Sequence, residues 1–380
     1  EADKSVVRGK LTVKINDKTY QRINTTGDVT VNYTIDGKLY GKDVKITAIY
    51  SENTNYMASI DEVVEKIPAK TPKTSKMPKT DVTINNYYVD ADTGSDTNDG
   101  SQSSPFKTIA KAISMVNMTK TPSNIYLKGV FKGMGNTNLT IPGDLTITFI
   151  GLEDAAIDGE VNYTIKEKLD LDEYYWGSSR IWWPYLNGTG NWAMNITRGN
   201  GLIKLENLTI RNCWSPGRSS INLYNTSTVD NYGNLEVNNV SFIYNHGGVG
   251  AGIRNNNGAT VVVNNSIFDS NRKSSSTGNY GAGIYNNGTA TIINSVFKNN
   301  YARWGTVTND KNMTIINSTI RDNIGYDGGS TYKTGSGITI NTASTNFYEG
   351  GNVENVTTVI DGCTFTNNDQ LDIYADKSNN

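Results

Sequence analysis

Between Leu205 and Asn368 the chain keeps rewriting one phrase, and this repetition restricts its fold more than any other feature. The phrase reads Glu-Asn-Leu-Thr-Ile-Arg-Asn at 206–212 and Asn-Asn-Val-Ser-Phe-Ile-Tyr-Asn at 238–245. It returns at 264–271, 293–300, 316–323 and 361–368. A second phrase alternates with it: Gly-Ala-Gly-Ile-Arg-Asn at 250–255, Gly-Ala-Gly-Ile-Tyr-Asn at 281–286, and a looser Gly-Thr-Val-Thr-Asn at 305–309. Short β-branched runs recurring every 20–30 residues or so cannot bury an apolar face singly, so they stack as a solenoid of strands. Ile210, Phe242, Phe268, Phe297, Ile320 and Phe365 occupy the equivalent place and are expected to form one internal column. Asn245, Asn271, Asn300, Asn323 and Asn368 follow at a fixed offset. Asn tolerates left-handed backbone and bonds its own chain, so the sharp corners of the coils are expected there.

The rest of the composition agrees with an all-β chain. With 380 residues, two domains are the natural division. A net charge of −2 argues against a nucleic-acid partner. The single histidine, His246, reads as a turn residue and leaves metal-hydrolase and triad chemistry little to work with. Cys213 and Cys363 lie five repeats apart, or ~24 Å along a stack of strands. A disulfide needs Cα atoms within roughly 7 Å, so both are expected as free thiols. No apolar run is long enough to span a membrane and no signal peptide is present, which fits a cytosolic chain or part of a longer secreted one. Sequons favour the second: Asn24, Asn32, Asn117, Asn138, Asn187, Asn225, Asn287, Asn312 and Asn355 are candidate glycosylation sites.

Residues 1–67 show strand alternation. Leu11, Val13 and Ile15 precede a turn at Asn16-Asp17, and Val29, Val31 and Tyr33 precede another at Asp36-Gly37. Val44, Ile46, Ala48 and Tyr50 follow. The expectation is a small Ig-like β-sandwich, too short to be complete. Residues 68–84, with Pro68, Pro72 and Pro78 among Lys and Thr, read as a linker. Residues 85–380 form the solenoid. A helix is expected over 105–116, capped by Ser104 or Ser103 and with Pro105 in its first turn. Its face of Phe106, Ile109, Ala110, Ile113 and Val116 would cover the apolar end of the first coil, near Ile125 and Leu127. Residues 162–200 interrupt the rhythm with an aromatic insertion.

Two stretches carry a resemblance. Tyr87-Tyr88-Val89-Asp90-Ala91-Asp92-Thr93-Gly94-Ser95-Asp96, running on to Pro105-Phe106-Lys107-Thr108-Ile109-Ala110-Lys111-Ala112-Ile113, resembles the opening of secreted right-handed parallel β-helix proteins. The Gly-Ala-Gly-Ile-Tyr-Asn and Asn-Ser-x-Phe-x-x-Asn coils resemble adhesin-like surface proteins of methanogenic archaea. Residues 10–58 are similar to the last strands of the Ig-like repeats of those proteins. The resemblance implies a right-handed parallel β-helix displayed on a cell surface. Polysaccharide lyases share that fold, so fold alone leaves function open.

Candidate sites follow from side-chain chemistry. Tyr174, Tyr175, Trp176, Trp182, Trp183, Tyr185 and Trp192, with Trp304, offer flat faces that stack on sugars or anchor a protein partner; the plainer alternative is packing onto the helix wall. Asp90, Asp92, Asp96 and Asp99 crowd oxygens onto a Gly-bent loop, which suits Ca²⁺; the alternative is a loop whose Asp side chains satisfy backbone N–H groups. Asp269, Arg272 and Lys273, with Arg211, Arg254, Lys298 and Arg321, read as solvated wall residues, not the gathered base of a lyase. The resulting expectation is a non-enzymatic, extracellular cell-surface adhesin without catalytic residues, binding glycans or proteins of another cell. The alternatives are a lyase or hydrolase acting on acidic glycans, and a fibre subunit joining other copies of itself by strand exchange.

Overall fold

The computed structural model describes residues 9–25, 31, 42–51, 59–66, 83–160, 191–214, 227–247, 249–273, 281–302, 305–325, 335–341, 356–369 and 371–376. Two compact units emerge, Glu1–Val82 and Thr83–Asn380.

The first unit is an antiparallel sheet. Gly9–Ile15 turns at Asn16-Asp17, both with positive φ, into Lys18–Thr25, while Asp43–Ser51 pairs on the other side and Ser59–Lys66 pairs beyond it. Leu11, Val13, Ile15, Val44, Ile46, Ala48 and Tyr50 share one face by register and alternation. The outer strand Ser59–Lys66 leaves Ile60, Val63 and Val64 exposed. No second sheet faces this one among the described residues. The expected strand at Val29–Tyr33 and turn at Asp36-Gly37 lie outside them, apart from Val31, which is not in a strand.

The second unit is a parallel β-helix. A typical coil runs through four short strands: Val229–Asn231, Asn234–Asn238, Ser241–Ile243 and His246–Gly247. Each pairs in parallel with its counterpart one coil on: Ile253–Asn255, Thr260–Asn264, Ile267–Asp269 and Arg272–Lys273. The walls are a long sheet built on strands such as Asn234–Asn238, a wall of strands such as Ser241–Ile243, a narrow wall from His246–Gly247 onward, and the sheet of Val229–Asn231, called here the second sheet. The long strand Ile147–Asp158 belongs to the first two walls and joins them at the start of the stack.

The column expected from the sequence is present. Ile210, Phe242, Phe268, Phe297, Ile320 and Phe365 are successive register partners. The rings of Phe242 and Phe268, and of Phe268 and Phe297, stack with centroids 4.7 Å apart. The Gly-Ala-Gly phrase makes room for them. A Cβ at Gly283 would lie 2.9 Å from Phe297 Cδ1, and the preceding Gly281 sits at φ 60°.

The recurring asparagines are not the corners. The left-handed residue stands one position earlier, at Tyr244, Ser270, Asn299, Asp322 and Asn367. Asn245, Asn271, Asn300, Asn323 and Asn368 instead form an inward ladder: each of the first four amide nitrogens donates to the next Asn Oδ1 at 3.0 Å, and all five donate to a carbonyl of the preceding coil. Asn231, Asn255, Asn286 and Asn309 form a second buried ladder at 2.7–2.8 Å. Within a core these amides are stable only because donors and acceptors are paired along the stack.

The helix spans Ile109–Thr119, later than 105–116. Thr108 is its cap, because its Oγ1 accepts from the Lys111 N–H at 3.2 Å. Phe106 has already been taken as a bridge partner of Val89. Ile109 and Ile113 are buried in the same core as Ile125 and Leu127, as capping of the first coil requires. Cys213 and Cys363 are free thiols.

Candidate functional site

In the second sheet Val229, Ile253, Ile284, Val307 and Ile338 point inward. Alternation therefore turns Asn195, Asp230, Arg254, Tyr285, Thr308 and Thr339 outward, in one row across successive coils. Outward residues of the long sheet, such as Lys204, Glu236, Thr291 and Thr314, are half-buried. Here Arg254 is 3% exposed and Tyr285 4%, and both threonines are fully buried. Among the described residues, this outer face has its polar side chains sequestered.

A second polar row adjoins it. Asn256, Asn287 and Asp310 each follow a rung of the inner Asn ladder and are buried. The two rows touch: Tyr285 Oη donates to Asp310 Oδ2 at 2.5 Å, and Arg254 Nη1 lies 3.9 Å from Asp230 Oδ1. Burial pushes the Asp230 carboxyl up to about 6, while Arg254 and Asn256 only partly offset it. Asn195 Oδ1, Thr228 Oγ1, Asp230 Oδ1, Asn256 Oδ1, Thr306 Oγ1 and Thr339 Oγ1 are buried atoms of this sheet with no hydrogen-bond partner. Thr228 and Thr306 stand one residue before the strands, on the same outward parity as the row. Buried polar atoms are nearly always paired, so such a cluster marks where a further polar group belongs.

The narrow wall beside this sheet carries Trp214, His246, Arg272 and Tyr301 in one register column. The Arg272 guanidinium lies 5.4 Å from the Tyr301 ring centroid. His246 is a buried strand residue, not a turn, and its N–H donates to the Cys213 carbonyl. Cys213 is itself fully buried, which drives its thiol pKa well up; nearby Asp158 adds to this. The wall is thus aromatic and cationic, and the sheet beside it is polar and rich in acceptors.

Of the expected aromatic site, Trp192 is half-buried and its backbone N–H donates to Asn138 Oδ1. Tyr174, Tyr175, Trp176, Trp182, Trp183, Tyr185 and Trp304 lie outside the described residues.

The carboxylates of the Gly-bent loop serve separate tasks. Asp90 accepts the N–H groups of Asp92 and Thr93, Asp96 those of Lys107 and Thr108, and Asp99 that of Ser101. Burial would raise Asp90, but those N–H groups and Lys128 prevail and hold it at about 2. Among the described residues, no three His, Cys, Asp or Glu side chains are grouped to hold a metal ion.

Most wall cations are paired on the surface: Lys298 with Asp269 at 3.1 Å, Arg211 with Asp158 at 2.9 Å, and Arg321 with Asp322. Arg254 departs from the solvated-wall reading because it is buried in the row. Of the sequons, Asn24, Asn117, Asn138 and Asn312 are exposed, whereas Asn287 is buried and inaccessible in the folded chain. Asn32, Asn187, Asn225 and Asn355 lie outside the described residues.

Sequence reasoning missed Asp230, Asn256, Tyr285 and Asp310. A signal was present. Between the invariant Ile or Val and the Asn of the second phrase stands one changing residue, which strand alternation turns outward.

Residues 92–129 match the model of a family described as a protein of unknown function, DUF1565. No curated protein matches the sequence. Two solved structures are similar. The crystal structure of Escherichia coli YbhC is 13% identical and covers 83% of this chain and 90% of its own, with a TM-score of 0.36. A GH136 lacto-N-biosidase from Eubacterium ramulus, solved as its selenomethionine derivative, is 11% identical and covers 77% and 68%, with a TM-score of 0.23. These similarities concern the fold only. The expectation that the chain is not an enzyme is not upheld, because a parallel β-helix by itself gives no ground for that exclusion. The chain is a parallel β-helix protein whose opening segment matches DUF1565.

Proposed function

We propose that the chain is an extracellular, adhesin-type surface protein that binds glycans of another cell along the outer face of its second sheet. The supporting observation is the cluster of buried, outward-facing polar atoms that lack a hydrogen-bond partner at Thr228, Asp230, Asn256, Thr306 and Thr339. Binding sites combine apolar walls with a few convergent polar groups that fix orientation. Tyr301, half-buried on the neighbouring wall, supplies aromatic surface of the kind that stacks on sugar rings. The exposed sequons at Asn24, Asn117, Asn138 and Asn312 favour display outside the cell. A glycan array probed with the whole chain tests the reading. The wild type is expected to retain a defined subset of glycans, and Tyr285→Ala to lose about tenfold or more in affinity, since a truncated central anchor costs more than ~1–2 kcal/mol. Retention of no glycan by the wild type would sink the proposal.

A second reading, glycan hydrolysis, is favoured by Asp230. A carboxyl that titrates at about 6 keeps part of its proton near neutral pH, as a general acid must. Its partner is not Asp310: three strand steps separate their coils, or ~14 Å, whereas paired glycosidase carboxyls stand about 5–9.5 Å apart. Sugar release from array-positive glycans by the wild type, but not by Asp230→Asn, would favour this reading over binding alone.

A further inference from the structure

We propose that Asn257 is a site of spontaneous deamidation, where the backbone nitrogen of Gly258 displaces the side-chain amide and leaves aspartate or isoaspartate facing Lys311. The sequence holds four Asn-Gly pairs, beginning at Asn187, Asn200, Asn257 and Asn287. The first lies outside the described residues, and the structure separates the other three. Glycine lacks the Cβ that would hinder attack by its own nitrogen on the preceding side chain, so every such pair is prone to ring closure. What decides is whether that nitrogen is free and the turn open.

At two pairs it is not free. Gly201 N–H donates to the Gly143 carbonyl at 2.8 Å, and Gly288 N–H to Asn286 Oδ1 at 3.1 Å. Asn287 is also buried, and a Cβ added at Gly288 would lie 2.3 Å from the Ala259 carbonyl oxygen. The third pair differs because its turn is longer. The chain leaves the second sheet at Asn255 and enters the long sheet at Thr260, whereas one coil on it passes from Asn286 to Thr289. Ala259 N–H donates to the Asn256 carbonyl at 2.9 Å, closing a turn with Asn257 and Gly258 at its tip. Both are exposed, and a Cβ added at Gly258 would meet nothing within 4 Å. Among the described residues no backbone or side-chain group accepts the Gly258 N–H. The amide under attack is also polarised, because Lys311 Nζ donates to Asn257 Oδ1 at 2.8 Å. Lys311 is held in turn by Asn309 of the inner ladder, whose Oδ1 accepts its backbone N–H at 3.1 Å. A cation on the Asn257 oxygen stabilises the negative charge that builds there as the nitrogen attacks.

The reaction needs only water. Gly258 nitrogen gives its proton to solvent and bonds to Asn257 Cγ. The Cγ–Nδ2 bond then breaks, and Nδ2 takes a proton from solvent and leaves as ammonia. Water opens the resulting cyclic imide on either side. Breaking the bond from nitrogen to Cγ gives aspartate; breaking the bond from nitrogen to the main-chain carbonyl carbon gives isoaspartate, with the chain routed through the side chain. Either product sets a carboxylate against Lys311, so a polar contact between turns two coils apart becomes an ion pair.

The test is peptide mapping by mass spectrometry of the whole chain aged at mildly alkaline pH, folded and in urea. In the folded chain the Asn257 peptide is expected to gain about one mass unit, the exchange of ammonia for water, while the Asn200 and Asn287 peptides stay intact. In urea all three are expected to convert at comparable rates. Asn257→Gln, with an unchanged melting temperature, is expected to be silent at that position, because glutamine must close a larger ring. Lys311→Met is expected to slow conversion about twofold to fivefold, the scale of an exposed charge interaction. Conversion of Asn200 or Asn287 as fast as Asn257 in the folded chain, or an Asn257 that reacts only in urea, would overturn the proposal. An unchanged rate in Lys311→Met would remove the lysine from it.

Discussion

Asp230 shows how one residue ties burial to pH. Its carboxyl ordinarily titrates at 3.8 and, buried in the outer row, at about 6. Below the lower value both folded and unfolded chains hold the proton, and folding carries no penalty from this group. Between the two values the unfolded chain releases it and the folded chain does not, so stability falls as pH rises through the window, by up to about 3 kcal/mol. Asp90 works in the opposite direction. Held at about 2, it adds stability above 3.8 that is lost as pH falls toward 2. Urea unfolding at pH 4 and pH 7 is therefore expected to show Asp230→Asn gaining on the wild type at pH 7 and losing that advantage at pH 4. An equal difference at both values would show that Asp230 keeps its ordinary pKa. The local sequence around Asp230 marks its outward position but not its raised pKa, because the burial that raises it comes from coils distant in the chain.

At the scale of the element, what matters is the column and not the strand. A three-residue strand such as Ile267–Asp269 has no stability alone; its Phe268 is held by rings above and below, and its neighbour Asn271 by the ladder. Asn271 accepts from the backbone N–H and the amide of Asn245 and donates to Phe242 O and Asn300 Oδ1. Asn271→Ala is expected to cost about 1–3 kcal/mol for each buried group left unpaired, measured as a shift in denaturant midpoint. A loss below about half a kcal/mol, the range of ordinary surface substitutions, would show that the ladder is not a source of stability. The apolar column was legible because one residue repeats at one place. The ladder was not, since the same Asn that lines the core is also a good turn residue. Its inward side chain is decided by the left-handed residue before it, which is Tyr244 in one coil and Ser270 in the next. The helix start was misplaced for a related reason: Pro105 and Ser104 fit a cap locally, but Phe106 pairs with Val89 and so pushes the cap on to Thr108.

For the whole molecule, the two units have different sources of stability. The β-helix buries a continuous column of apolar side chains, from Phe106 under the capping helix through Ile320. Among the described residues the N-terminal sheet has few that are buried, chiefly Val13, Ile15, Val44 and Thr47, and an outer strand with exposed Ile60, Val63 and Val64. Deleting residues 1–82 is accordingly expected to leave the main thermal transition of the β-helix in place, followed by circular dichroism, because repeat stability is a sum over neighbouring coils. Collapse of that transition on deletion would show the two units to be thermodynamically one.

The sequence by itself determined the solenoid, the register of its coils, the apolar column and the helix over its first coil. All of these rest on periodicities that a strand or helix imposes on its own neighbours in the chain. The tertiary structure alone decided which outer wall is sequestered. Asp230, Arg254, Tyr285 and Asp310 lie more than twenty residues apart in turn, and only stacking at about 4.8 Å per coil makes them neighbours. Alternation tells that each points outward. It does not tell that this outside is buried, because burial depends on the walls and corners around it, and those are assembled from residues far apart in the chain.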